Sequence, residues 1–252
     1  MRETQVLGVA GSAALWTAFG ILVTSSVVFY ILLLFQPVGR RIFHVYTFTI
    51  TATASVCYLL MSVQQGYKIV GVRPVYWIRY VDWLVTTPLI LLDLGTLISI
   101  DHDKIVLLIF LDLLMILSGA VGSFVGNWQN LFFWGAGMLF YILIVFEVFS
   151  AIRFLSNRIS VKVKNLYLLL ATSTVSVWSM YPIVWLLADG LNIMPVDLET
   201  ILYALLDISA KCAFGFVLLL SREAVADATA DENAVSTEEP LLLPTEAATP
   251  EA

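Results

Sequence analysis

Seven stretches of this chain are apolar for long enough to cross a lipid bilayer, and that property excludes most folds at once. They run roughly over 9–35, 42–65, 76–98, 104–125, 130–154, 165–188 and 198–221. A spanning helix needs about 20 mostly apolar residues, because each advances about 1.5 Å through a hydrocarbon layer about 30 Å thick. The links between them are short. An all-α membrane protein, a single seven-transmembrane helix bundle, is the expected architecture. Composition agrees: 60% of the 252 residues are hydrophobic and 13% charged, too apolar for a soluble domain of this length.

The net charge of −6 is misleading about the bundle. Glu223, Asp227, Asp231, Glu232, Glu238, Glu239, Glu246 and Glu251 all fall in the last thirty residues, which carry no Lys or Arg. The expected organisation is a membrane domain over 1–222 and a disordered acidic tail over 223–252. Nothing here suggests a nucleic-acid partner. The tail segment "EEPLLLP" fits an acidic dileucine sorting signal, with Glu238, Leu242 and Leu243 in place. It would imply an endosomal or vacuolar membrane; the plasma membrane is the default otherwise. Cys57 and Cys212 both fall inside spans and read as small apolar residues rather than a disulfide. No cleavable signal peptide is expected, and the first span serves as the insertion signal.

Basic residues give the orientation. Arg40, Arg41, Lys104, Arg153, Arg158, Lys162, Lys164 and Arg222 fall on one side with the C-terminus, against Arg2, Lys68 and Arg73 on the other. The positive-inside rule puts the C-terminus in the cytoplasm and the N-terminus outside or in a lumen. His44 and His102 fall near cytoplasmic span ends and read as interfacial.

The third span, "RYVDWLVTTPLILLDL" over 79–94, carries charge where charge is most costly. Arg79, Asp82, Thr86 and Asp93 are spaced 3, 4 and 7 apart, so all four share one helix face. Asp82 and Asp93 stand about 16 Å apart along the axis. An Arg79–Asp82 ion pair would be the structural explanation, but it leaves Asp93 alone among Leu89, Ile90, Leu91 and Leu92. An ion or proton pathway explains both acids. The last span, "LYALLDISAKCAFGFVLLL", places Asp207 and Lys211 one turn apart at mid-membrane, too deep for the lysine to snorkel. A structural Lys–Asp pair and an amine poised to condense with an aldehyde both remain open. In the sixth span Trp178, Tyr181 and Trp185 share a face beside Pro182, which can kink the helix. Together with Trp83 and Tyr58 they suggest a slot for a long, flat, apolar ligand.

"RYVDWLVTTPLILLDL", "WSMYPIVWLL" and "VDLETILYALLDISAKCAFGF", in this order, resemble the microbial (type 1) rhodopsins, in the pattern of bacteriorhodopsin-like light-driven proton pumps. The resemblance spans about residues 9–222. It implies all-trans retinal held as a Schiff base on Lys211, with Asp82 as counterion and proton acceptor and Asp207 as second counterion. It further implies that Thr86 bonds near Asp82, that Asp93 is the cytoplasmic proton donor bonded by Thr47, and that Arg79 relays charge outwards. Asp189 and Glu199 match the proton-release acids, although the sixth span is one residue shorter at its outer end. Trp83, Met115, Gly119, Trp178, Tyr181 and Trp185 would line the chromophore, and Thr87 would bond Asp112. In "NLFFWGAGML" the aromatic that closes the ring pocket is left open among Phe132, Phe133 and Trp134. Glu147 has no counterpart: it either snorkels to the cytoplasmic interface or feeds protons to Asp93.

The implied activity is transport, not enzymatic catalysis: a light-driven pump moving protons from cytoplasm to the outside. The Asp–Thr–Asp set at Asp82, Thr86 and Asp93 matches outward proton pumps. Chloride pumps lack the first carboxylate, and sodium pumps carry a different set. Ile90 near the chromophore suggests green absorption. A photosensory rhodopsin signalling through a partner protein is the alternative, although Ala210 stands where such sensors often carry a hydroxyl. The expected partners are retinal, protons, the lipid bilayer and further copies of the chain, since trimers are common among similar proteins.

Overall fold

The computed structural model describes residues 5–125, 128–155, 159–221 and 226. Among these, seven helices are long and apolar enough to cross a membrane: α1 (Val9–Leu34), α2 (Ile42–Ser62), α3 (Trp77–Leu97), α4 (His102–Phe124), α5 (Gln129–Leu155), α6 (Val161–Gly190) and α7 (Val196–Leu220). The expected spans are all present, each within a few residues at its ends. The acidic tail with its dileucine segment, and Arg2, Arg158 and Arg222, lie outside the described residues, apart from Ala226.

Short links make each helix pack on its neighbour in sequence. α1 lies on α2 and α7, α2 on α3, α3 on α4, and α4 on α5, while α6 meets α3, α5 and α7. α3 is the most enclosed span. Its polar face turns inward, burying Arg79, Asp82, Thr86, Thr87 and Asp93, while Trp77, Val81 and Val85 face outward. In lipid, where apolar surface gains little by leaving the tails, such an inward polar face gives α3 a definite rotation in the bundle.

Two helices leave α geometry near the centre. α6 widens into a π-type turn over Leu186–Gly190, just after Pro182. α7 does so over Ile208–Ala213, a segment that contains Lys211. Such turns admit an extra residue per turn and are frequent at functional sites; nothing in the composition of these segments announced them.

The α2–α3 link holds a feature absent from the sequence expectations, an antiparallel hairpin. β1 (Lys68–Val70) pairs with β2 (Arg73–Val75) in the register Lys68–Val75, Ile69–Pro74 and Val70–Arg73. The N-terminal segment docks on it, with the Gln5 N–H donating to the Val72 carbonyl at 2.7 Å. The hairpin is anchored where Gly66 accepts from the Ile78 N–H at 3.1 Å. Gly66 has φ +73°, and a Cβ there would come within 2.6 Å of the Ile78 Cβ. Gly66→Ala is therefore expected to cost about 1–3 kcal/mol. It should appear as a lower midpoint of thermal unfolding in detergent, and an unchanged midpoint would show that the link relaxes freely.

Candidate functional site

At the centre of the bundle the Lys211 amine lies between two carboxylates, 2.6 Å from Asp82 Oδ2 and 2.7 Å from Asp207 Oδ1. All three side chains are buried. The π-type turn of α7 and the inward face of α3 bring them together. The two acids are held differently. Asp207 Oδ1 also accepts from Trp83 Nε1 at 3.2 Å and from the Tyr181 hydroxyl at 2.9 Å, and Oδ2 accepts from the Tyr58 hydroxyl at 2.6 Å. Asp82 receives only the amine; its Oδ1 is buried without a hydrogen-bond partner. Thr86 donates to the Asp82 backbone carbonyl at 2.9 Å, leaving that oxygen free.

From the amine an apolar cavity runs towards α5. Trp83, Met115, Gly119, Trp178, Tyr181 and Trp185, all expected there, line it, and so does Thr87; Tyr58, expected in the same slot, stands outside this wall with its hydroxyl on Asp207. The question left open for "NLFFWGAGML" has a double answer: Phe133 and Trp134 both line the cavity, while Phe132 is exposed. Trp134 is oriented by its indole N–H, which donates to the Pro182 carbonyl at 3.0 Å. Thr87 donates to Asp112 Oδ2 at 2.7 Å, tying α3 to α4 beside the cavity. Tyr80, Ile90, Ile116, Met138, Tyr141 and Tyr203 line it as well; of these only Ile90 had been singled out. Trp83 stacks edge-on with Tyr181 at 5.2 Å and packs on Tyr203 at 5.3 Å, so the wall beside the amine is a continuous set of rings.

Towards the hairpin end, Arg79 does not pair with Asp82. Its Nη1 lies 2.8 Å from Glu199 Oε1, and its guanidinium stacks 4.2 Å over the Tyr203 ring. Asp189 accepts from Ser123 at 2.7 Å and from Tyr80 at 3.4 Å. Arg73, counted from sequence only as a loop charge, is buried between Glu199 at 2.5 Å and Asp189 at 3.8 Å. So Arg79, Asp189 and Glu199 come together, around a second arginine that carried no signal in the sequence beyond its place four residues ahead of a helix.

Towards the other end, Asp93 is fully buried and neither carboxyl oxygen has a hydrogen-bond partner. The expected Thr47–Asp93 bond is not made. The Thr47 hydroxyl donates instead to the Phe43 carbonyl at 2.6 Å, because a helical threonine finds a carbonyl one turn back within reach. His44, expected at an interface, is buried one turn from Thr47. Glu147 is partly exposed on α5.

Residues 10–225 match the family model described as bacteriorhodopsin-like protein. The chain belongs to the bacteriorhodopsin-like family. This rhodopsin-family chain is 37% identical to bacteriorhodopsin of Halobacterium salinarum over 199 residues, 75% of each chain. It is 34% identical to opsin-1 of Neurospora crassa over 252 aligned positions, covering 91% of this chain and 82% of that one. Among solved structures it resembles the light-driven proton pump of Leptosphaeria maculans at 32% identity and a TM-score of 0.85, covering 90% of this chain and all of that one. The rhodopsin fold thus accounts for the seven helices, and the polar interior described above is this family member's own.

Proposed function

We propose that the protein is a light-driven proton pump that carries retinal on Lys211. One observation carries the reading: a buried amine at the end of an apolar cavity, gripped by one carboxylate with four donors and one with a single donor. The residues fit the chromophore. A primary amine is the group that condenses with an aldehyde, the wall beyond it is ringed by aromatic side chains, and the charged groups of that wall, Asp207 and Lys211, stand together one turn apart on α7. Retinal supplies the light absorption and the isomerisation that displaces the Lys211 nitrogen.

The protein's own residues then determine where the proton goes. Four donors hold Asp207 as the anion, whereas Asp82 has a free oxygen able to take a proton. A nitrogen moved out of this grip passes its proton to Asp82. Asp93 lies about 16 Å along α3 from Asp82, and a buried carboxyl without partners is held neutral, since a bare anion there would cost several kcal/mol. It is the store from which the nitrogen is refilled. Thr86 fixes the α3 backbone beside the acceptor, Trp83 and Tyr181 hold Asp207 in place, and Arg79 carries positive charge towards the hairpin end. Two half-paths meeting at a nitrogen that changes partners give direction, which a single continuous path would not.

The hairpin end is assigned to the outside or a lumen and the basic end to the cytoplasm, so transport is outward. The load is modest: about 2.3 kcal/mol per charge against 100 mV and about 1.4 kcal/mol per pH unit. The photosensory alternative is not favoured, since the similar structure is that of a proton pump and the chain keeps a carboxylic acid at Asp93. Illuminating retinal-supplied cells that make the protein should acidify the medium, and an uncoupler should abolish the signal. If the protein sits in an internal membrane, isolated vesicles should show the same acidification of the lumen. Light without an uncoupler-sensitive proton signal in either preparation would end this reading.

A further inference from the structure

The cluster at the hairpin end holds a group for which the pump reading has no use. Arg73 lies on β2, outside the spans, yet is 4% exposed. Its guanidinium is engaged on several sides: Nη2 meets Glu199 Oε2 at 2.5 Å, and Nη1 meets the Met194 carbonyl at 2.6 Å, Asn192 Oδ1 at 3.2 Å and Gln5 Oε1 at 3.3 Å. Three separate segments thus brace it: the N-terminal segment, the α6–α7 turn and α7. With Arg79 on Oε1, each oxygen of Glu199 has a cation of its own. Asp189 is the second acid. The phenols of Tyr80 on Asp189 and the rings of Tyr76 and Tyr203 on Arg79 complete the charged and titratable surroundings. Two guanidinium groups facing two carboxylates balance with both acids ionised. A proton on either acid would leave an unbalanced buried cation, which is strongly unfavourable.

We propose that Arg73 is the gate of the proton exit: by clamping Glu199 it keeps the exit acids empty at rest, so that a proton leaves on the outer side only after one has been taken up on the inner side. The proposal rests on the pump reading and deepens it. With no proton stored at the exit, none is available when Asp82 receives the proton of the Lys211 nitrogen. Asp82 keeps that proton while Asp93 refills the nitrogen and is itself refilled from the cytoplasm. Late in the cycle the Asp82 O–H bond breaks, an O–H bond forms on Glu199, and its contact with Arg73 opens. The proton then passes to water outside and the clamp closes again. Arg73 is a positioning residue throughout and takes no proton.

The test is a flash experiment on the full chain, loaded with retinal in open membrane fragments, with a pH-indicating dye in the medium and the visible band followed in parallel. The native protein should take up a proton first and release one last. In Arg73→Gln one cation faces two acids, balance favours one stored proton, and release should move ahead of uptake. Arg73→Lys should restore the native order, which a purely structural role for Arg73 would not predict. Release first in the native protein, or an order unaffected by Arg73→Gln, would overturn the gate. Should Arg73→Gln fail to fold, infrared difference spectra of the native protein decide: a carboxylic-acid band gained late and missing in Glu199→Gln supports the gate, and one lost early refutes it. A native protein that gives no dye signal of either sign would sink the pump reading itself, an outcome distinct from a signal in the wrong order.

Discussion

Lys211→Ala is expected to abolish the visible absorption band completely when retinal is added to the purified protein. The amine is the only lysine group in the described cavity wall, and it lies where an aldehyde entering the apolar slot end-on would reach it. Without it retinal has no nucleophile and stays unlinked. The substitution has a second consequence. It leaves Asp82 and Asp207, both fully buried, without the cation they share, and two like charges so close cannot both remain ionised. One takes a proton, and the cost of breaking the buried ion set is about 3–5 kcal/mol, so the variant should unfold at a lower temperature. Lys211→Arg separates the two effects: a guanidinium keeps the positive charge between the acids but does not condense with an aldehyde under these conditions. Both variants should lack the band and only the alanine should lose the charge balance. A visible band that survives in either would remove Lys211 from its assigned role.

What the sequence made legible follows the length scale of each signal. Apolar runs of twenty residues announce spans without any knowledge of neighbours, so the helices fell where expected. The 3, 4 and 7 spacing in α3 put Arg79, Asp82, Thr86 and Asp93 on one face, and all four are buried, because helical periodicity carries over directly into orientation. Partner choice is a different matter. Arg79 was weighed against Asp82, three residues on, yet it binds Glu199 from another helix; local spacing says nothing about the distant chain. Arg73 was invisible for the same reason. In a loop its charge reads as a mark of the outer surface, and only the folded hairpin, whose strands are three residues long, carries it inward. Thr47 illustrates a third limit. It has two candidate acceptors, and the carbonyl of Phe43 wins in this structure, a competition that residue identity cannot decide. Among Phe132, Phe133 and Trp134 the rotation of α5 chooses, and a helix apolar on all sides gives no periodic hint of which face turns inward.

Asp93→Asn should slow refilling of the Lys211 nitrogen and make that step depend on the acidity of the medium. On the proposed reading the proton waits inside, on the Asp93 carboxyl, which is fully buried, as are Leu91, Leu94 and Leu97 of the same helix, and has no hydrogen-bond partner to hold it as an anion. Transfer from such a store draws on a fixed supply, so its rate should change little with external pH as long as the store is full. Asparagine has the same shape and no proton to give. The nitrogen must then be refilled from solution, through a region that α3 lines with leucine, and the rate becomes first order in external protons. It should fall about tenfold for each unit of rising pH, so that native and variant nearly coincide in acid and diverge by about 10²-fold or more in alkali. Flash photolysis at several pH values reads this slope directly, while the rate at which the nitrogen first loses its proton to Asp82 should hardly change, because that step lies about 16 Å away along α3. A variant whose refilling keeps the native rate across the pH range would show that the proton comes from elsewhere, and the isolation of Asp93 in the core would then have to be explained by packing alone.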